Sequence, residues 1–487
     1  MDDLIPFAEV ILILAVALLL LVGSNRVAER LHIPAPALFL IVAAVASNVF
    51  ADLGSLSVVD NQRIVTVALV IILFDGGMHI GWERMRPAAG SVAWIGVAGT
   101  VVTSAALALG AHYLFGFEWR TALIVGAALA PTDPAVVFSV LGRREISGPS
   151  GTILEGESGA NDPVGIALLI SILGASGAGL GAVGSGVGHF ALQLAVGAVV
   201  GLVGGWLLLQ VMRRLPLPNE ALYPVQTVAF ALALYGVATV AAGSGYLAVF
   251  IAGIFIGDER APYKREIERF AAALASIAEI VAFVVLGLSI DVTALFDGDT
   301  FWIGLGIAAL LIVVVRPVLV GLLILPLPMT RGERSFVLFS GLKGAVPILL
   351  GTYVLAEHAA DAGKVYNIIF VVVLVSVLAQ GSFVPLAAKV CKVPMRVVEP
   401  EPFALGMRFR NEPEGLHRYV VEPGSPADGC SIRRLAVGEN FWVSMVSRDG
   451  HLVQVRGDTD LRAGDEVLAL AHDDESPDAA FRAPSHR

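Results

Sequence analysis

The chain has 487 residues, of which 56% are hydrophobic and only 15% charged, with a mean hydropathy of +0.79. Soluble domains carry about a quarter charged residues, so this composition excludes a soluble enzyme and points to a polytopic membrane protein with lipid as its main surrounding. The net charge of −10 gives no reason to expect nucleic acid as a partner.

Apolar runs near the ~20 residues needed to cross a bilayer recur along the chain. The first, 5–23, follows the acidic start M-D-D-L-I-P, where a cleaved signal would want a basic one; it is read as a membrane helix. Further runs fall at 34–51, 64–80, 91–115, 119–141, 153–174, 187–212, 221–243, 245–257, 272–295, 302–326, 335–356 and 365–390, which makes thirteen. The glycine-rich stretch 174–188 contains G-x-G-x-x-G, but it follows a membrane helix and not a strand. A flexible outer loop is expected there, not a nucleotide site. Cys391 and Cys430 have no metal-ligand spacing around them and are read as ordinary thiols.

The loops test the count through the excess of Lys and Arg on the cytoplasmic side. Alternate loops, beginning with the one holding Arg26 and Arg30, carry fourteen basic residues, and the intervening loops carry only Arg63, Arg120 and Lys364. This alternation predicts an N-terminus outside and a C-terminus in the cytoplasm.

Beyond about residue 395 the character changes. V-P-M-R-V-V-E-P-E-P reads as a linker over 396–414. Short alternating runs follow near 418, 441, 452 and 465, with R-D-G-H as a hairpin turn and S-I-R-R-L as a short helix. They predict a small cytoplasmic α+β domain over 415–472, with a disordered tail at 473–487.

A charge at the bilayer centre costs at least ~2.5–3.5 kcal/mol. Asp75, Asp133, Glu155, Glu157, Asp162, Glu279, Asp291, Arg316 and Lys343 nevertheless lie in apolar segments. Two of these segments also carry breakers at their centres. The fifth reads A-L-A-P-T-D-P-A-V-V around Asp133, and the twelfth S-G-L-K-G-A-V-P-I around Lys343. Proline frees helix backbone groups that lipid cannot satisfy, so such breaks belong inside the protein or at a watery cavity. The twelfth lies seven segments after the fifth, an odd step, so they run in opposite directions, as in inverted repeats whose broken helices cross near the midplane. Asp133 can offset exposed N–H ends there, and Lys343 exposed carbonyl ends.

The sixth segment, with E-G-E-S-G-A-N-D-P-V at 155–164, lies next to the first break. Asp162 can project into the crossing. A bare carboxylate is costly there, and either a proton or a monovalent cation removes the cost. Hard oxygens from Asp162, Ser158, Thr132 and backbone carbonyls suit such a cation. Asn161 can tether the unwound stretch without adding a second titratable charge. Glu157, about 500° of helix rotation before Asp162, faces elsewhere and is read as the ion-pair partner of Lys343 or Arg316. Asp75 is either a hydrated boundary residue or part of an access path. Glu279 is either a core hydrogen bonder or part of an inner funnel, and Asp133 is favoured as a half-helix cap over an ion ligand.

F-D-G-G-M (74–78), A-P-T-D-P (130–134), G-E-S-G-A-N-D-P (156–163), V-R-P (315–317) and G-L-K-G-A-V-P (341–347) together resemble the monovalent cation/proton antiporters of the NhaP and sodium/proton-exchanger branch. The resemblance implies a core domain, a dimerisation domain and a homodimer working by elevator-like alternation. It implies Asp162 as ion and proton carrier, Thr132 and Ser158 as ligands and Asn161 as their stabilising partner. The Asn-Asp pair implies electroneutral exchange. Lys343 stands where many relatives have arginine. Residues 415–472 resemble a TrkA-type C-terminal regulatory lobe, which ranks potassium first and sodium second as the cation. No cofactor is implied beyond the transported K+ or Na+ and H+. A cyclic dinucleotide effector at the lobe and pH sensing are both left open. A lobe-gated cation channel is the rival reading, but no T-V-G-Y-G filter is present. An enzyme is not expected, because no nucleophile–base constellation appears.

Overall fold

The computed structural model describes residues 19, 23, 34–50, 57–141, 144–146, 149–175, 180–258, 263–296, 298–327, 329–359, 361–397, 416–435, 441–448, 451–470 and 478–482. The chain divides into two compact units, Met1–Glu399 and Pro400–Arg487. The first apolar segment lies outside the described residues except for Leu19 and Gly23; each later one is helical, wholly or as two half-helices.

In chain order the first unit contains α1 (Ala35–Val49), α2 (Val58–Ala93), α3 (Thr100–Phe115), α4 (Trp119–Leu129), α5 (Ala135–Leu141), α6 (Pro149–Gly174), α7 (Leu180–Arg214), α8 (Leu222–Val240), α9 (Gly245–Asp258) and α10 (Lys264–Leu288). It continues with α11 (Thr300–Ala309), α12 (Arg331–Phe339), α13 (Ala345–Ala356) and α14 (Ala362–Val375). Among the described residues six helices, counting continuous stretches, are long and apolar enough to cross a membrane. Their ends follow ordinary rules. Ser57 caps α2 by accepting from the Asp60 N–H at 3.1 Å. Gly116, at φ 74°, closes α3 in the left-handed conformation that glycine tolerates. Thr330 and Glu333 form a reciprocal capping box at α12.

Two expected loops are helix instead. The chain between the third and fourth segments stays helical and changes direction at one residue, Gly81 (φ 64°, ψ 165°). That backbone shape is open to glycine, so one residue does the work of a loop. The glycine-rich 174–188 stretch is already helical from Leu180; glycine is more frequent in membrane helices than in soluble ones. Among the described residues π-helical turns occur at Trp94–Gly99, Leu310–Val320 and Ser376–Gly381. The last two lie beside the candidate site.

A short antiparallel pair, β1 (Arg144–Ile146) with β2 (Met395–Val397), joins the loop after the fifth segment to the chain after the thirteenth. Both stretches therefore share one face, as the alternation of basic loops requires.

The second unit holds a four-stranded antiparallel sheet of β3 (Leu416–Val420), β4 (Trp442–Arg448), β5 (His451–Val453) and β6 (Glu466–Leu470), in the order β3-β6-β4-β5. β4 and β5 form the expected hairpin, with Arg448 opposite His451, and Ile432–Arg434 is the expected short helix. Alternation sends Val467 and Ala469 of β6 into a core with Val421, Val446 and Leu461. The expected disordered tail needs correction. Residues Asp478–Phe481 form a helical turn (α15). Phe481 is buried and stacks on Tyr419 at 4.7 Å between ring centroids. Its carbonyl also accepts from the Glu422 N–H at 3.0 Å. One aromatic anchor, hidden in a polar run, outweighs that run's composition.

Candidate functional site

The two breaks meet. Between α4 and α5 the chain is non-helical around Pro131, Thr132 and Asp133; between α12 and α13 it is non-helical from Leu342 to Gly344. The backbone N–H of Asp133 donates to the Leu342 carbonyl at 2.8 Å, joining one break to the other. Each half-helix ending here exposes carbonyls with no helical donor, and each set is met by a cation. Lys343 Nζ donates to the carbonyls of Ala130 and Pro131, both at 2.8 Å, at the end of α4. Arg316 donates to Leu338 at 3.0 Å and to Val337 at 3.2 Å, at the end of α12. Gln380 Nε2 covers the Phe339 carbonyl at 3.0 Å.

The glycines flanking Lys343 make room for this. A Cβ on Gly341 would overlap the Arg316 guanidinium, and one on Gly344 would overlap the Asp133 carboxylate. Asp133 therefore lies against the start of α13, where its charge complements the N–H end.

α6 is laced to the first break. Ser158 Oγ donates to the Thr132 carbonyl at 2.5 Å, Asn161 Nδ2 donates to Thr132 Oγ1 at 2.6 Å, and the Thr132 N–H donates to Asn161 Oδ1 at 3.2 Å. Asp162 differs from these neighbours. It is 6% exposed, its Oδ1 is buried and unpartnered, and its side chain makes no hydrogen bond or ion pair among the described residues. The charges acting on it belong to Asp133 and Lys343. Pro163 supplies no N–H, which leaves the Gly159 carbonyl without its helical donor one turn away.

Comparison with known proteins places this arrangement. Residues 14–390 match the family described as sodium/hydrogen exchanger, transmembrane. The chain belongs to that family. Residues 416–479 match the TrkA-C domain. The chain is 32% identical over 475 residues to the K(+)/H(+) antiporter NhaP of Alkalimonas amylolytica, covering 96% of this chain and 82% of the relative. It is 27% identical over 394 residues to the Na(+)/H(+) antiporter NhaH of Halobacillus dabanensis, covering 77% of this chain and 95% of that one. The solved sodium proton antiporter MjNhaP1 of Methanocaldococcus jannaschii shares the fold, with a TM-score of 0.67 at 22% identity over 79% of this chain and 99% of that one.

Within this exchanger fold Glu157 pairs with Arg316 at 3.0 Å, both side chains about 5% exposed or less. Lys343 joins no ion pair among the described residues, which corrects the expectation that placed it in a structural pair. Its ammonium is taken by the two carbonyls of the first break, out of a partner carboxylate's reach. Glu279, on α10, is half-buried with Oε1 unpartnered, so among the described residues it is not the core hydrogen bonder considered above. Asp75 Oδ2 lies 3.3 Å from His79 Nδ1, and its Oδ1 is buried without a partner. His79 lines a cavity of about 290 Å³ with Gly81, Arg84, Gly257 and Glu268 on the face of the basic loops. Glu155, just before α6 enters the crossing, meets Arg84 at 3.4 Å.

Sequence reasoning missed Ser376 and Gln380. Ser376 Oγ accepts the Lys343 N–H at 3.1 Å and donates to Gln380 Oε1 at 2.7 Å, so the pair holds the second break. Two polar residues four apart in the apolar run V-S-V-L-A-Q-G share one helix face and were the available signal.

Proposed function

We propose that the protein is a cation/proton antiporter that exchanges a monovalent cation for a proton at Asp162. The observation that carries this reading is the buried Asp162 carboxylate, left without a partner among the described residues while Thr132, Ser158 and Asn161 beside it are all hydrogen-bonded. A buried polar group without a partner is costly, and a carboxylate beside water pays less when it holds a proton or a cation. One site cannot comfortably hold both. Exchange follows if the loaded carrier moves between faces and the bare carrier does not.

Ser158 and Thr132 would supply ligand oxygens. The Ser158 proton is committed to the Thr132 carbonyl, and Thr132 Oγ1 is held by the Asn161 amide, so both oxygens stay oriented with lone pairs to spare. Asn161 adds no charge, which makes one proton per monovalent cation, an electroneutral cycle, the stoichiometry proposed here. Potassium is ranked before sodium, because the relatives that match nearly the whole chain are K(+)/H(+) antiporters. The protein would work as a homodimer in a prokaryotic plasma membrane, with its N-terminus outside and its lobe, in the cytoplasm, adjusting the rate.

Purified protein in proteoliposomes with an imposed pH gradient tests the carrier. Potassium or sodium should dissipate the gradient in the parent, and Asp162→Asn should fold but show no exchange. Retained exchange in that variant overturns the assignment. Equal flux through both would instead indicate a pore.

A further inference from the structure

A second cavity, of about 490 Å³, lies away from the crossing, at the opposite face from the basic loops. Ser47 of α1, Asn61 of α2, Ser289 and Asp291 after α10, Thr352 of α13 and Tyr366 of α14 line it. All five elements present the ends that the alternation of loop charge assigns to the outer side. Among its lining residues there is no Lys, Arg or His.

The hydrogen bonds decide what this cavity prefers. Ser47 Oγ donates to the Ala44 carbonyl at 3.0 Å, Ser289 Oγ to Leu286 at 2.8 Å and Thr352 Oγ1 to Leu349 at 2.7 Å. The Ser289 proton is thus spent, so Tyr366 is the donor in its 2.6 Å contact with Ser289 Oγ. Four hydroxyl groups have committed their protons, and their oxygens offer only lone pairs. Asn61 is 4% exposed, and its Oδ1 is buried with no partner. Asp291 Oδ1 accepts from the N–H groups of Thr293 at 2.9 Å and Ala294 at 3.3 Å; its Oδ2 has no partner among the described residues. The lining is therefore rich in hard acceptor oxygens and carries one negative charge. A single carboxylate suits a monovalent cation; divalent ions take more charged oxygens.

We propose that this cavity is a recruiting site that holds the transported monovalent cation, still with its water shell, on the outer face. The proposal rests on the exchange reading for its role and stands apart from Asp162 in its location. It would raise the local cation concentration without touching the chemistry at the crossing.

The test uses the full chain in proteoliposomes, with the cation varied on one face at a time. Asp291→Asn keeps the cap that Asp291 provides to the short helical turn Val292–Leu295, since asparagine caps as well as aspartate, and removes the charge. It should raise the KM for outer potassium or sodium about threefold to tenfold, leave kcat unchanged and leave the inner KM unchanged. Asn61→Asp should lower the outer KM. Choline chloride should narrow both differences by screening. An outer KM indifferent to both variants, or one that shifts equally on both faces, overturns the site.

A second readout does not need transport. In an Asp162→Asn background, potassium or sodium should raise the Tm above that in choline at equal ionic strength, and adding Asp291→Asn should remove the rise. No cation-specific rise, or a rise given only by calcium, also overturns the proposal. If Asp162→Asn itself still exchanges, the carrier reading fails while both readouts for this cavity keep their meaning.

Discussion

The two broken segments meet the same backbone problem with different cations. At the end of α4, Lys343 gives one ammonium to two carbonyls and has no carboxylate bound to it. At the end of α12, Arg316 also serves two carbonyls, but its fork reaches Glu157 as well. Arginine has five donors in a fixed plane, whereas lysine is a compact point charge. The arginine is thus neutralised where it sits, and its break is purely structural. The lysine joins no ion pair among the described residues, and its charge acts instead on Asp162, as does that of Asp133. One break is locked by an ion pair, and the other has none beside Asp162, whose carboxylate has no partner among the described residues.

The comparison breaks most visibly at Arg316. Arg316→Ala removes two carbonyl caps and leaves Glu157 buried without its partner. Losing one member of a buried pair costs about 3–5 kcal/mol, so thermal unfolding in detergent should show a large fall in Tm. Lys343→Ala removes two caps but strands no paired carboxylate. Its cost should be about 1–3 kcal/mol for each carbonyl left unpaired, a penalty that Arg316→Ala carries too, on top of the stranded carboxylate. A Lys343→Ala loss as large as that of Arg316→Ala would show that the lysine is as locked as the arginine. Asp162→Asn sharpens the same contrast, because it should abolish exchange with a smaller change in Tm than either.

Much of this crossing can be read from the sequence. Proline on both sides of Asp133 and glycine on both sides of Lys343 announce the breaks, and the odd step from the fifth segment to the twelfth announces that they run in opposite directions. Asp162 stands out because a carboxylate beside proline in an apolar run has few structural uses. The reading stops where partners are set by three-dimensional packing. Nothing in V-R-P tells that Arg316 reaches α12's carbonyls and Glu157 together; the choice between Arg316 and Lys343 needed the positions of both breaks. Gly81 conceals a change of direction that hydropathy reads as a loop. Phe481 shows the opposite failure, since composition over a polar run hides a single residue that finds a hydrophobic seat.

The lobe provides the smallest effect and a control on the argument about forks. There Arg448 grips Asp465 with two bonds of 2.7 Å, as a planar guanidinium grips a carboxylate, and the Arg462 N–H adds a third at 2.8 Å. Burial alone would push the Asp465 carboxyl up, but the Arg448 fork and the Arg462 N–H outweigh it and hold the group below the usual carboxylate range. A carboxyl held low when folded stabilises the fold above the ordinary carboxylate range, and that contribution is lost as pH falls through the lowered value. Protection of the β4 and β6 amides in the full chain, corrected for intrinsic exchange, should therefore decline as the medium is acidified below about pH 4. Asp465→Asn should flatten that decline while lowering protection at neutral pH. If the decline persists unchanged in Asp465→Asn, the acid sensitivity of the sheet belongs to another carboxyl, and the fork acts there by packing alone.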